Sequence, residues 1–335
     1  MNYPVVLLDI TEKCDKKCKH CLKEKNDLAT TTLTIKDYIN IINEFDNLNV
    51  KKVKITGGEP ALSETFDDIV TLLDEKNINF DVFTNGDAIL SKLYVLNSIK
   101  SLDSIRFGIE GMKNVHDCIR EPGNFDNTVS TMLRLQNSGL SCTANITINK
   151  MNYTQILEMV DYFSRLSIDV TFSIIKFAGR AMKHPELTFS KNEVGLLLNQ
   201  MRHIKLERPD VFSVITESLC DPREFVKEKN GKLRCLAGQY SFVIDSFGYI
   251  WPCSLLKGND IFCAGNIREE PLVNCIFKLH EVWNSLDTMN DKCMDCVYYE
   301  KCSGGCRGNA INISGDMNAS DPNCVFYSNT LYKLI

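Results

Sequence analysis

From residue 3 to about 205 the chain alternates short apolar, β-branched runs with stretches in which apolar residues recur every three or four positions. The runs Val5–Ile10, Lys52–Thr56, Phe80–Thr84, Ser104–Ile109, Thr143–Ile148 and Asp169–Ile175 read as strands. The stretches near 35–47, 64–76, 89–98, 126–138, 154–165 and 190–205 read as amphipathic helices, with Thr34 and Ser63 placed as N-caps. Strands alternating with helices imply right-handed crossovers and a parallel sheet. Six such units are fewer than the eight that close a full barrel. The pattern therefore predicts an α/β fold, an open, partial (β/α)6 TIM-like barrel with its chemistry at the C-terminal strand ends. Beyond residue 215 the helical pattern thins, and a hairpin is expected from Phe242–Asp245 across Ser246-Phe247-Gly248 to Tyr249–Trp251.

Composition narrows the setting. A formal charge of −5 lacks the basic excess of nucleic-acid or membrane-surface binders. No run of 18 or more apolar residues appears, and the N-terminus reads as a strand rather than a signal peptide. A cytoplasmic location is expected. Fifteen cysteines are many for a reducing compartment, where clustered thiols bind metal or catalyse more often than they pair. Three lie within Cys14–Cys21 and nine between Cys235 and Cys324, a shift that divides the chain into a barrel, 1–215, and a cysteine-rich C-terminal domain, 216–335.

Cys14, Cys18 and Cys21 have C-x3-C-x2-C spacing directly after the first strand. Three thiolates on one loop suit a cuboidal iron–sulfur cluster with one iron left open to a ligand. A zinc site completed by His20, or an electron-carrying cluster with a distant fourth cysteine, fits the same spacing. Thr56-Gly57-Gly58-Glu59-Pro60 follows the second strand; its glycines permit close backbone approach and its carboxylate suits an ammonium group, though a plain turn reads the same way. Thr84-Asn85-Gly86 ends the third strand and also reads as an ordinary turn. The C-terminal array runs Cys235, Cys253, Cys293, Cys296, Cys302, Cys306 and Cys324, more than one four-ligand metal can use.

The N-terminal motifs together resemble the radical SAM superfamily. That resemblance implies a [4Fe-4S] cluster on Cys14, Cys18 and Cys21 whose open iron chelates S-adenosyl-L-methionine (SAM) and yields a 5′-deoxyadenosyl radical. It implies SAM contacts from Gly57, Gly58, Glu59, Pro60 and Asn85, with His20 at a position usually aromatic and near the adenine. Many relatives end the fourth strand in Ser-x-Asp-Gly; this chain has Gly108-Ile109-Glu110-Gly111, so Gly108 brings no side chain to the SAM carboxylate, and Asn145 is a further polar candidate.

The C-terminal array is similar to the SPASM domain, which holds two auxiliary iron–sulfur clusters. By that similarity Cys293, Cys296, Cys302 and Cys324 hold one, and Cys235, Cys253 and Cys306 the other, its fourth position open or filled by Cys220, Cys263 or Cys275. SPASM enzymes mostly modify peptides, and His116-Asp117-Cys118-Ile119-Arg120 and Phe177-Ala178-Gly179-Arg180-Ala181 look like segments of such maturases. Arg120, Cys118, Cys142 and Arg180 are the catalytic candidates. The expected activity is hydrogen abstraction from a peptide with oxidative crosslinking, carbon–carbon or thioether, in a ribosomal natural product. The alternative is an epimerase or dehydrogenase acting on a peptide or a small molecule such as an aminoglycoside. The chain begins almost at its first strand, so a leader peptide would be bound by the barrel or by a separate protein. A flavodoxin- or ferredoxin-type reductant is expected, without nucleic acid or membrane partners.

Overall fold

A strand whose residues alternate in polarity buries only one face, and the barrel strands do this in unison. The structure, a computed structural model, describes residues 4–24, 32–207, 237–286, 291–297, 299–302, 304–316 and 318–324. The strands are β1 (Val5–Asp9), β2 (Lys52–Thr56), β3 (Asn79–Thr84), β4 (Leu102–Ile109), β5 (Cys142–Ile148), β6 (Asp169–Ile174), β7 (Ser241–Ile244) and β8 (Ile250–Trp251). They form one open sheet in the order β6-β5-β4-β3-β2-β1-β7-β8, parallel except for the antiparallel β7–β8 pair.

Val53, Ile55, Val82, Ile105, Phe107, Ile146 and Phe172 lie on the helix-covered face and are buried in the main core. The opposite face is polar: Asn145 pairs in register with Gly108 and Thr171, and Arg106 with Phe83 and Thr143. A closed eight-stranded barrel fills its interior with branched apolar side chains. Here the lumen is lined instead by groups suited to a polar ligand. Deep in it, buried Asp81 joins Lys52 at 3.0 Å and the Arg106 Nε at 2.8 Å, so the buried carboxylate is paired with two cations.

The helices follow the sequence closely in places and depart from it in others. Thr34 caps the helix Ile35–Glu44 through a reciprocal box with Asp37, whose carboxylate accepts from the Thr34 backbone N–H at 2.8 Å. Ser63 is not the next cap. That helix starts at Phe66, and Ser63 Oγ instead accepts from the Thr65 N–H at 3.3 Å, a turn that delays the helix by one residue pair. The 89–98 stretch divides into a 3-10 turn, Ile89–Lys92, and a helix, Leu93–Ser98. A short helix, Lys113–Ile119, was not expected; seven residues are too few to show helical periodicity in sequence.

The hairpin came out as expected, but its partner did not follow from the sequence. β7 adds to β1 in parallel, Val5 opposite Ser241 through Leu8 opposite Ile244, so the C-terminal region extends the barrel sheet. Glu44 reinforces this join by accepting from the N–H groups of Leu272 and Val273, each at 3.3 Å, at the start of the helix Leu272–Leu286. Among the described residues no helix is long and apolar enough to cross a membrane.

Thr34→Ala removes one half of the capping box. It should cost about 1 kcal/mol of stability, read as a lower urea midpoint at unchanged slope; an unchanged midpoint would mean the cap contributes nothing.

Candidate active site

The chain leaves β1 and runs as an irregular loop from Ile10 to Glu24 across the C-terminal ends of the strands, carrying Cys14, Cys18 and Cys21. What passes close to Gly57 and Gly58 is this loop. Gly58 N–H donates to Thr11 O at 2.7 Å and Glu59 N–H to Lys13 O at 2.8 Å. A Cβ at Gly57 would lie 2.5 Å from Thr11 O, and one at Gly58 only 2.1 Å from Lys13 O. Both glycines are thus required for the cysteine loop to dock.

Glu59 is fully buried beneath it and accepts three hydrogen bonds from the protein. Its Oε1 accepts from Thr84 Oγ1 at 2.9 Å and Ala61 N at 3.2 Å, and its Oε2 from Asn85 N at 2.7 Å. Burial raises its pKa to about 7. The carboxylate therefore ties the Thr84-Asn85-Gly86 turn to the short 3-10 turn that starts at Pro60. Asn85 in turn donates from Nδ2 to Asp15 Oδ1 at 2.7 Å and lies 3.9 Å from Cys14 Sγ. These residues support the loop from below.

The Phe177–Ala181 segment holds it from the other side. Arg180 donates from Nε to Cys18 O at 3.0 Å, and Ala181 N–H donates to Cys21 O at 3.3 Å. Gly179 has φ of 54°, and a Cβ there would lie 2.4 Å from Leu22 O. Arg180 thus acts on the loop's carbonyls.

At the end of β4 the absence of a side chain at Gly108 makes room for Arg120: a Cβ there would lie 2.1 Å from the Arg120 Nη2. Buried Glu110 receives both Arg120 Nη2 and His20 Nε2 at 3.0 Å on its Oε1. Burial alone would raise the Glu110 pKa, but His20 and Arg120 outweigh it and hold the carboxyl at about 2. Among the described residues, three buried polar atoms around this cluster have no hydrogen-bond partner: His20 Nδ1, Glu110 Oε2 and Arg120 Nε. Unsatisfied groups gathered at one place mark where a polar ligand completes the structure.

The rest of the His116–Phe125 motif is structural. His116 accepts from Glu110 N–H on Nδ1 at 3.2 Å and lies 2.9 Å from Asn124 Oδ1 through Nε2, an arrangement that fits the neutral ring. Burial, then the charge of Arg120, lower its pKa to about 4. Asp117 accepts from Gly123 N–H at 2.9 Å and Phe125 N–H at 2.8 Å, capping the helix Asn124–Asn137. Cys118 is exposed on its helix, 3.6 Å from Lys19 Nζ. Cys142 is buried, with its thiol on the Met132 and Leu140 carbonyls.

The loop thiols sit close enough to feel one another. Burial raises Cys14 to about 11, with Cys18 adding to the shift. Burial raises Cys18 too, against the opposing pull of Arg120. Metal binding here would therefore release protons. The C-terminal thiols show the same coupling: burial raises Cys302 to about 11, and Cys324 and Cys293 act on it, while Cys296 acts on Cys293. The four thiols thus share one region, though among the described residues no three of them stand close enough to hold a metal ion. Cys253 packs on the helix Arg307–Ser314, 3.7 Å from a Cβ placed at Gly308, and Cys306 is that helix's N-cap. Cys235 and Cys220 lie outside the described residues. Cys263 directs its thiol to Gly265 O at 3.7 Å, and Cys275 is fully buried against Gly265.

A cavity of about 1050 Å³ opens between the loop and the C-terminal region, lined from the barrel by Thr56, Gly57, Phe83, Thr147 and Ser173 and from the loop by His20 and Cys21. Phe247, Tyr249, Trp251, Ser254 and Lys257 line it from the C-terminal side. Asn145 stands deeper in the lumen and is engaged by Thr171 Oγ1 at 3.0 Å. Sequence reasoning missed the charged residues of this wall, among them Asp9, Glu12, Lys23, Asp245 and Lys257; the one visible signal was an aspartate ending the apolar run Val5–Leu8.

A family model described as the radical SAM superfamily matches residues 8–163, and one described as an iron–sulfur cluster-binding domain, SPASM, matches residues 235–307. The mycofactocin maturase MftC of Mycolicibacterium smegmatis is 22% identical over 97% of this chain and 83% of its own. The Fe-coproporphyrin III synthase of Methanosarcina barkeri is 23% identical over 96% and 87%. Streptococcus suis SuiB bound to S-adenosylmethionine has a similar fold, with a TM-score of 0.78 at 20% identity, covering 96% of this chain and 77% of that one. SuiB bound to its precursor peptide SuiA superposes with a TM-score of 0.74.

Gly179→Val forces a side chain into the Leu22 carbonyl. It should release about four irons from anaerobically reconstituted protein while sparing those of the C-terminal array; full iron retention would show that this contact does not hold the loop. A second expectation concerns His116. Its folded pKa lies below the usual 6.5, so its contribution to stability is complete above that value and is lost as pH falls toward about 4. The loss approaches about 3 kcal/mol, measurable as a urea midpoint that drops from about pH 7.5 to 5.5 and does so less in His116→Asn.

Proposed function

Because this chain is a radical SAM enzyme carrying a SPASM iron–sulfur domain, we propose that it abstracts hydrogen from a peptide and leaves an oxidative crosslink, carbon–carbon or thioether. The observation that carries the reading is the cavity itself. It joins the Cys14–Cys21 loop to the SPASM hairpin and has room for more than one small molecule.

The residues present fit the group that the superfamily requires. Cys14, Cys18 and Cys21 would hold the [4Fe-4S] cluster, three soft donors on one loop that leave an iron open. The unpartnered atoms of His20, Glu110 and Arg120 would take the polar parts of SAM, with the Arg120 cation suited to its carboxylate. When bound, cluster and SAM together supply a 5′-deoxyadenosyl radical. The protein's own part is positional. Gly57 and Gly58 let the loop seat, Glu59 fixes the turn beneath it, and Arg180 fastens its carbonyls from above. Cys293, Cys296, Cys302 and Cys324 would hold one auxiliary cluster, and Cys253, Cys306 and Cys235 the other; such a cluster would supply the acceptor for the electron that the substrate radical gives up, with a proton, as the crosslink closes.

A peptide substrate is supported by the fold shared with SuiB, which binds a precursor peptide. An epimerase needs a hydrogen donor on the opposite face of the substrate radical. Of the candidate thiols, Cys118, Cys142, Cys263 and Cys275 lie away from the cavity wall, and Cys220 lies outside the described residues.

Anaerobically reconstituted protein should contain about twelve irons, as three four-iron clusters would supply, and should form 5′-deoxyadenosine from SAM and dithionite. The Cys14→Ala/Cys18→Ala/Cys21→Ala variant should lose about four irons and all of that product. Zinc in place of iron, with SAM intact, would overturn the enzyme reading. A precursor peptide encoded beside the gene should lose the mass of two hydrogens; unchanged mass with deuterium taken from solvent would replace crosslinking with epimerisation.

A further inference from the structure

Four charges on the cavity wall, Asp9 buried and Glu12, Lys23 and Lys257 partly buried, form a closed alternating ring. Lys23 Nζ lies 2.8 Å from Glu12 Oε1 and 3.7 Å from Asp9 Oδ2. Lys257 Nζ pairs with the same Asp9 oxygen and lies 3.9 Å from Glu12 Oε1. Every member thus faces two opposite charges. None is well solvated: side-chain exposure runs from 5% for Asp9 to 18% for Lys257. Ser246 Oγ donates to Glu12 at 3.3 Å and Lys23 Nζ to Thr11 O at 3.4 Å, so the ring is also hydrogen-bonded at its edges.

The positions of these four residues in the chain give the ring its meaning. Asp9 ends β1, Glu12 stands two residues before Cys14, and Lys23 two after Cys21, its N–H donating to Cys21 Sγ at 3.4 Å. Lys257 comes from the SPASM domain, four residues after Cys253. We propose that this ring is a charge clasp, with Lys257 as its positioning residue, which fastens both ends of the cysteine loop to the SPASM segment and sets the electrostatic potential felt by the cluster in that loop. The inference rests on the reading that Cys14, Cys18 and Cys21 hold that cluster.

The physical argument is one of sign. Fields act more strongly along a partly buried wall than between charges fully in water. With all four members charged the ring itself is neutral, and buried Asp245, which also acts on Lys257, stands beside it unchanged in every variant. Replacing Lys257 by a neutral residue leaves it one negative charge in excess, which disfavours adding an electron nearby; replacing Asp9 leaves one positive charge in excess, which favours it. A clasp that only held the chain together would give no such opposition. Both variants would then loosen the loop alike, because breaking a buried pair from either side leaves an unpaired charge.

The test uses the full chain, reconstituted anaerobically, with iron content and the EPR-monitored midpoint potential of the reduced signal that SAM perturbs. Lys257→Met should shift that potential more negative and Asp9→Asn more positive, while Lys257→Arg stays near the wild-type value. The Asp9→Asn/Lys257→Met double variant should return toward it. If a single variant sheds iron, recovery of the iron in the double variant still supports the clasp. Shifts of the same sign, no shift with iron retained, or iron lost in the double variant as well would overturn it. Wild-type protein without iron, or with a reduced signal indifferent to SAM, would instead overturn the functional reading on which the clasp depends.

Discussion

The seating of one loop's backbone on two glycines is the constraint on which the rest of this structure depends. Thr11 and Lys13 offer carbonyls to the N–H groups of Gly58 and Glu59 at hydrogen-bond distance, and no Cβ fits between. Given that contact, the three thiols of the loop come to lie over the C-terminal ends of the parallel strands. Without it they would hang on an unpaired segment. Glu59, Asn85, Gly179 and Arg180 then act on the same loop, Asn85 through the Asp15 side chain and the others at its backbone carbonyls. Much of what the motifs encode is therefore the protein holding its own cysteine loop still. Residues kept in place by several contacts at once are what a reactive metal site demands.

The second governing feature is the inversion of a closed barrel's usual polarity. The six barrel strands place apolar residues under the helices and polar ones in the lumen, and β7 extends the sheet beyond β1 instead of closing it. An open sheet with a polar inner face needs something to satisfy that face. Salt bridges do so deep in the lumen around Asp81, and the Asp9–Lys257 ring does so near the loop. Between them remain the cavity and the unpartnered atoms of His20, Glu110 and Arg120. The departure of Gly108 from the usual serine is explained at the same place, since the volume a side chain would fill belongs to the Arg120 guanidinium.

What the sequence by itself determined was local and periodic. Alternation located all six barrel strands within a residue or two, because period-two patterning is what a half-buried strand requires. The Cys14–Cys21 spacing and the C-terminal array declared metal binding, because several soft ligands so close together suit a metal, while the choice of iron–sulfur over zinc came from the resemblance to the radical SAM and SPASM families. Thr34 showed its cap for the same reason, since Thr34 and Asp37 are three residues apart in the chain as in the fold. What only the tertiary structure decided was every relation between distant segments. The pairing of β7 with β1, the fit of Arg120 against Gly108, the hold of Arg180 on Cys18 and the meeting of Asp9 with Lys257 across 248 residues of chain leave no periodic trace. Such contacts depend on how separately specified elements pack in space, and charge pairs of that kind are written one residue at a time in places that sequence spacing does not connect.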